Sequence, residues 1–113
     1  MKPLSSKRAK ACAIPVGVKC AVAARDAIDG WVCCVLCGSN EAIPEAHYIP
    51  RSKGGLGIER NILSLCRRCH RLLDQGTREE REFLKKQAKD YLMSKYPDWN
   101  EEELYYKKDD YKI

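Results

Sequence analysis

Four cysteines stand in two CxxC pairs, Cys34/Cys37 and Cys66/Cys69; His47 lies between the pairs and His70 directly follows the second. A CxxC turn presents two thiolates to one ion, and two such turns supply the four sulfur ligands that close the tetrahedral shell of a structural zinc. One CxxC alone would suit a redox pair. Two pairs flanking a glycine-rich stretch that contains a histidine favour zinc. The spacer, residues 38–65, is longer than that of a zinc ribbon, so it is expected to fold as a unit between the knuckles. Cys12, Cys20 and Cys33 have no partner at ligand spacing and read as small buried or partly exposed thiols.

The segment between the knuckles adds acid–base chemistry. A neutral imidazole takes a proton from water near pH 7, and a carboxamide can fix its ring by hydrogen bonding. The stretch EAHYIPRSKGGLGIERNILSLCRRCH, Glu45 to His70, resembles the HNH endonuclease family, through His47, Ile49-Pro50-Arg51-Ser52, Gly54-Gly55, Asn61-Ile62, Leu65-Cys66 and Cys69-His70. That resemblance covers about Cys34 to Asp74. It implies a ββα-metal unit, with His47 as general base, Asn61 as its orienting partner and His70 as ligand of a catalytic divalent cation (Mg²⁺, Mn²⁺ or Ni²⁺). The alternative for each histidine is structural, His70 as a spare zinc ligand and His47 as a packed strand residue.

One position departs from the family. An Asp or His usually precedes the base as a metal ligand, and here Ala46 stands there. Asp74, four residues after His70 on an expected helix, shares its face and offers a hard oxygen ligand in compensation. The related DNase colicins carry a ligand at that offset; a helix-end carboxylate in solvent is the other reading. Glu45 is the weaker candidate, because strand alternation points it away from Ala46. Arg51, Lys53, Arg67, Arg68 and Arg71 surround the motif and are expected to grip phosphates on either side of the cleaved bond, some of them remaining solvated surface. No base-reading helix is evident, so low sequence specificity is expected.

These residues need elements to hold them. Pro15 opens an expected helix to about Ala27, with Val18, Ala21, Val22 and Arg25 at helical spacing, stopped by Asp29-Gly30. Trp31–Val35 is β-prone, Ala46–Pro50 and Asn61–Leu65 read as short strands, and Cys66–Asp74 as a helix ending at Gly76. Thr77 caps a further helix to about Tyr96, with Glu80 at capping-box distance and a stripe of Leu84, Ala88, Tyr91 and Leu92. The fold class is thus a small zinc-stabilised α+β domain, its ββα-metal motif set between two CxxC knuckles and flanked by an N-terminal and a C-terminal helix. Residues 1–13 are expected to form a flexible basic tail, 14–96 the nuclease domain with its core at 34–74, and 97–113 a C-terminal tail whose Trp99, Leu104, Tyr105 and Tyr106 either fold back or stay loose.

With 113 residues and 44% hydrophobic composition the chain gains from a metal staple. Seven cysteines would leave an odd thiol in a secreted disulfide framework, which favours the reduced cytoplasm, a host's cytosol if the chain is phage-encoded. The apolar run Ala11–Ala24 superficially resembles a secretory signal but is interrupted by Pro15 and Lys19, and nothing reaches transmembrane length, so no membrane partner is expected. Residues 1–25 carry six Lys or Arg and no acid, beside a balanced stretch at 26–76. A basic arm of that kind suits a phosphate backbone, and DNA is the expected partner. The leading expectation is a metal-dependent DNA endonuclease. The alternatives are a degenerate zinc DNA-binding module that lost turnover through Ala46, or an accessory subunit of a phage DNA-packaging or processing assembly.

Overall fold

Pro44 shapes the strand that carries the first histidine. The computed structural model describes residues 6–107. In it β3 (Ala42–His47) pairs antiparallel with β4 (Ile62–Cys66). From Ile43 to Ala46 β3 advances three residues while β4 retreats two, from Leu65 to Leu63, so β3 carries one extra residue. Proline has no N–H for the ladder, and a bulge is where a strand accommodates it. Beyond the bulge, Ala46 turns into the core, whereas Glu45 and His47 face outward.

All five residues of β4 are buried, the polar Ser64 among four apolar neighbours, as expected of a strand covered on both faces. α2 (Val16–Arg25), α3 (Arg67–Gln75) and α4 (Arg78–Lys95) pack around this hairpin. Val22, Leu63, Ala88 and Leu92 are completely buried among them, each large aliphatic side chain contributing about 1.5–3 kcal/mol. α4 starts at the expected capping box, Thr77 and Glu80 exchanging side-chain and backbone bonds of 3.1 and 2.8 Å. Asp26, just after α2, accepts from Arg25 (2.7 and 2.9 Å), the Tyr91 hydroxyl (2.5 Å) and the Ser64 backbone N–H (2.9 Å). One buried carboxylate thereby joins α2, β4 and α4.

Two expectations are corrected, and a third, left open by the sequence, is decided. Asp29-Gly30 does not merely stop a helix: α2 ends at Arg25, and the pair forms the turn of a hairpin between β1 (Ala27–Ile28) and β2 (Trp31–Val32). Both turn residues have positive φ, 52° and 85°, as such a two-residue connection demands. The basic tail expected at 1–13 contains α1 (Lys7–Cys12), capped by Ser6, with Cys12 buried; residues 1–5 of that tail lie outside the described residues. Of the two alternatives for the tail at 97–113, folding back or staying loose, the structure shows the first at least as far as Leu104, with residues 108–113 outside the description. Leu104 is completely buried, and Trp99 packs edge-on against Tyr48 at 5.6 Å while donating to the Arg60 carbonyl at 2.7 Å. Large apolar side chains explain the difference, because burying them outweighs the entropy of ordering a short segment. No helix among the described residues is long and apolar enough to cross a membrane.

Candidate metal centre and catalytic cleft

The first knuckle is a tight turn closed by Cys34 N–H to Ser39 O (2.7 Å) and Gly38 N–H to Cys34 O (2.9 Å). Val35 N–H bonds Ser64 O at 3.0 Å, bringing this turn beside the end of β4, where Cys66 starts the second knuckle. Cys66 is also the N-cap of α3, its sulfur accepting from Cys69 N–H at 3.4 Å. The four sulfurs consequently lie within 4.8 Å of one another, Cys37 and Cys66 at 3.6 Å. Ligands at about 2.3 Å around a tetrahedral zinc sit roughly 3.8 Å apart, so the cage has the right size. It is a cluster able to hold a metal ion, and four soft sulfurs support a structural zinc site.

The four thiols are held unequally. Burial pushes the Cys34 thiol up, but the N–H groups of Cys66, Cys37 and Leu36 together outweigh it and bring it down to about 7. Burial drives Cys69 the other way, helped by its neighbouring thiols. At Cys37 the Ser39 N–H favours the thiolate, yet burial and the contact with Cys66 prevail and raise its pKa. Four thiolates cannot share this volume without a compensating charge.

A cleft of about 580 Å³ opens on the other side of β3 and α3, lined by Glu45, His47, Arg51, His70, Asp74 and, from α2, Lys19. His70 Nε2 and Asp74 Oδ2 stand 3.6 Å apart on successive turns of α3, both partly exposed. The structure thus brings His47, His70 and Asp74 to one cavity. The pairing of one imidazole with one carboxylate fits a divalent cation of intermediate hardness. His47 Nε2 lies 2.9 Å from the Cys12 carbonyl; a carbonyl only accepts, so Nε2 carries the hydrogen. Burial lowers the His47 pKa below its ordinary value, opposed by the Cys12 hydrogen bond and reinforced by Arg51 and His70. The ring is accordingly neutral near pH 7.

Two sequence expectations are revised by this geometry. Asn61 does not reach the His47 ring: its Oδ1 accepts from Ile49 N–H (2.7 Å) and its Nδ2 donates to the carbonyls of Ile49 (3.2 Å) and Leu56 (2.8 Å). Completely buried, it stitches the segment after β3 to the glycine loop. Gly55 is required there, since a Cβ would sit 1.7 Å from Ile49 O and 3.0 Å from Asn61 Nδ2. The second revision concerns Ala46, which is 1% exposed and faces the core. Alternation holds, but the cleft is on the other face, so Glu45 and not Ala46 borders it, bonded to Lys19 at 3.2 Å. Pro44 was the available signal for the local irregularity. Nothing in the sequence pattern pointed to Cys12, because its contribution is a backbone carbonyl.

The expected phosphate contacts divide. Arg51 lines the cleft, whereas Arg67, Arg68 and Arg71 line a neighbouring groove with Cys37, Ser39, Glu41, Ile43 and Cys66. Lys53 lies outside both, close enough to Lys85 for its charge to lower that amine's pKa, although burial is the larger cause.

Fold and site together define a class: a small α+β unit with a four-cysteine metal-binding cluster, and a cleft furnished with histidines by its hairpin and the helix that follows. The family model described as HNH endonuclease matches residues 34–75, spanning both knuckles and the cleft residues from Glu45 to Asp74. At that level the match supports a nuclease-type protein with DNA as its partner. Cys12 and Lys19 lie outside the matched segment. No curated protein and no solved structure matches the chain.

Proposed function

We propose that this protein is an endonuclease that hydrolyses phosphodiester bonds of DNA with a divalent cation and low sequence specificity. The observation that carries the reading is the meeting of a neutral, hydrogen-bonded imidazole with a His–Asp pair in one arginine-lined cleft. His47 takes a proton from water at Nδ1 as the water oxygen attacks phosphorus. The bond from phosphorus to the sugar oxygen breaks, and that oxygen takes a proton from solvent. Arg51 holds phosphate oxygens at the mouth of the cleft, and the arginines of the adjacent groove extend the track along the backbone. His70 and Asp74 would hold the cation, with Glu45 nearby on β3. When bound, a cation of this kind stabilises the charge that builds on the phosphate and the departing oxygen. The ββα-metal arrangement belongs to the same proposal, supported by the order β3, β4, α3 and by the family match; an accessory subunit of a phage DNA-packaging or processing assembly is the alternative reading.

The test is conversion of supercoiled plasmid to nicked circles in Mg²⁺, Mn²⁺ or Ni²⁺, with a chelator control. Asp74→Ala is expected to raise the cation concentration for half-maximal nicking. Retarded plasmid without nicking in any of the three cations would replace the enzyme by a DNA-binding module.

A further inference from the structure

We propose that α1 is a positioning element of the cleft: the Cys12 carbonyl holds the His47 ring through Nε2–H, so residues outside the family-matched segment complete the site. This rests on the reading of His47 as the general base.

α1 has six residues, too few to persist alone in water, and it is held by specific contacts with the loop that follows β3. The last carbonyls of any helix lack intrahelical partners and must find others. Here they are distributed singly: Ala9 O accepts from Ala13 N–H (3.1 Å), Ala11 O from Gly57 N–H (3.0 Å), and Cys12 O from His47 Nε2 (2.9 Å). Arg8 reaches over the same loop, its Nη2 donating to Ser52 O at 2.9 Å and Arg51 O at 3.4 Å. Cys12 itself is 2% exposed.

The loop cannot easily follow α1 if the helix moves, because other elements pin it. Leu56 N–H bonds Leu104 O at 2.8 Å, Leu56 O accepts from Asn61 at 2.8 Å, and Tyr106 N–H bonds Gly54 O at 2.7 Å. Gly57 is the point of closest approach. A Cβ there would lie 1.9 Å from Ala13 O and 3.1 Å from Cys12 O. Gly57→Ala must therefore displace the end of α1, and with it the carbonyl that fixes His47. With Nε2 committed to that carbonyl, Nδ1 is left as the ring's basic atom and the ring is restrained about its side-chain torsions.

The experiment uses the zinc-loaded 113-residue chain labelled with ¹⁵N-histidine, whose two imidazoles are His47 and His70. In the unaltered protein the His47 Nε2–H proton is expected to be visible and slow to exchange with water. Gly57→Ala should abolish that resonance and lower single-turnover nicking about tenfold, the effect of one lost hydrogen bond on an oriented base, with zinc content and plasmid affinity unchanged. Arg8→Ala, which loosens the clamp from outside without inserting an atom, should move both readouts the same way by less. Persistence of the protected resonance in both variants, or its loss with full nicking retained, would overturn the proposal. A protected resonance in an unaltered protein that never nicks would instead overturn the reading of His47 as base, and the catalytic meaning of the contact with it.

Discussion

Placing an aspartate at position 46, where the HNH family usually carries a metal ligand, tests which face of β3 borders the cleft. If Ala46 faced the cation, Ala46→Asp would tighten metal binding. In the structure it faces the core, 1% exposed, opposite the completely buried Leu63. An unpaired neutral carboxyl in that position costs about 1–3 kcal/mol. Keeping it protonated at pH 7, from an unfolded value near 3.9, costs about 4 kcal/mol more. The sum of roughly 5–7 kcal/mol is comparable to the whole stability of a small domain, about 5–15 kcal/mol. The pH dependence has a definite sign. A carboxyl with a raised folded pKa leaves the unfolded chain binding fewer protons at neutral pH, so the penalty grows as pH rises. Between pH 6 and pH 7 the deficit against the unaltered protein should widen by about 1.4 kcal/mol. Urea unfolding followed through the buried Trp99, in zinc-saturated buffer at both pH values, measures this directly. Equal stability of the two proteins, with a lowered Mn²⁺ requirement for nicking, would refute the core-facing assignment.

Metal analysis of the purified protein should find one tightly held zinc, and Cys66→Ser or a strong chelator should unfold the domain; a metal-stripped variant melting at the unaltered temperature would contradict a structural role. Asp26→Asn should cost about 3–5 kcal/mol in urea unfolding, because it leaves the guanidinium of Arg25 without its anion inside the fold, and a loss under 1 kcal/mol would show that the network of Tyr91 and Ser64 does not depend on charge. Burial holds the His47 pKa below its ordinary value, so nicking under limiting DNA should stay level as pH falls from 8 to about 6.5 and decline only below that; an acid limb centred above the ordinary imidazole value would assign the titration to another group.

Much of this architecture follows from local sequence signals. The two knuckles, the capping box at Thr77 and the pairing of His70 with Asp74 depend on spacings of three and four residues, and such spacings fix geometry wherever a turn or helix forms. His47 lies on a different element from His70, and its place in the cleft was suggested by the family resemblance and not by local spacing. What escaped depends on tertiary packing. Asn61 was expected to orient an imidazole because the side chain has the chemistry for it, yet the same chemistry suits the orphan backbone groups of Ile49 and Leu56, and burial decided between them. Ala46 reads as a vacancy in the cleft because the resemblance places a metal ligand immediately before the base. Here the strand continues to alternate after the bulge at Pro44, so consecutive residues face opposite ways. Both termini read as tails since they are short and charged, although the apolar residues of the C-terminal one left folding back open; the glycine loop supplies the N–H groups of Gly57 and Leu56 that dock the two segments carrying Cys12 and Leu104.

The central claim is that His47 performs proton abstraction in a DNA-cleaving site. Single-turnover nicking of supercoiled plasmid by His47→Ala, beside the unaltered protein at matched zinc content and plasmid affinity, addresses it most directly. Loss of the general base should slow nicking by about two to four orders of magnitude while zinc and affinity stay the same. Nicking at the unaltered rate would contradict the account and assign the chemistry to another residue.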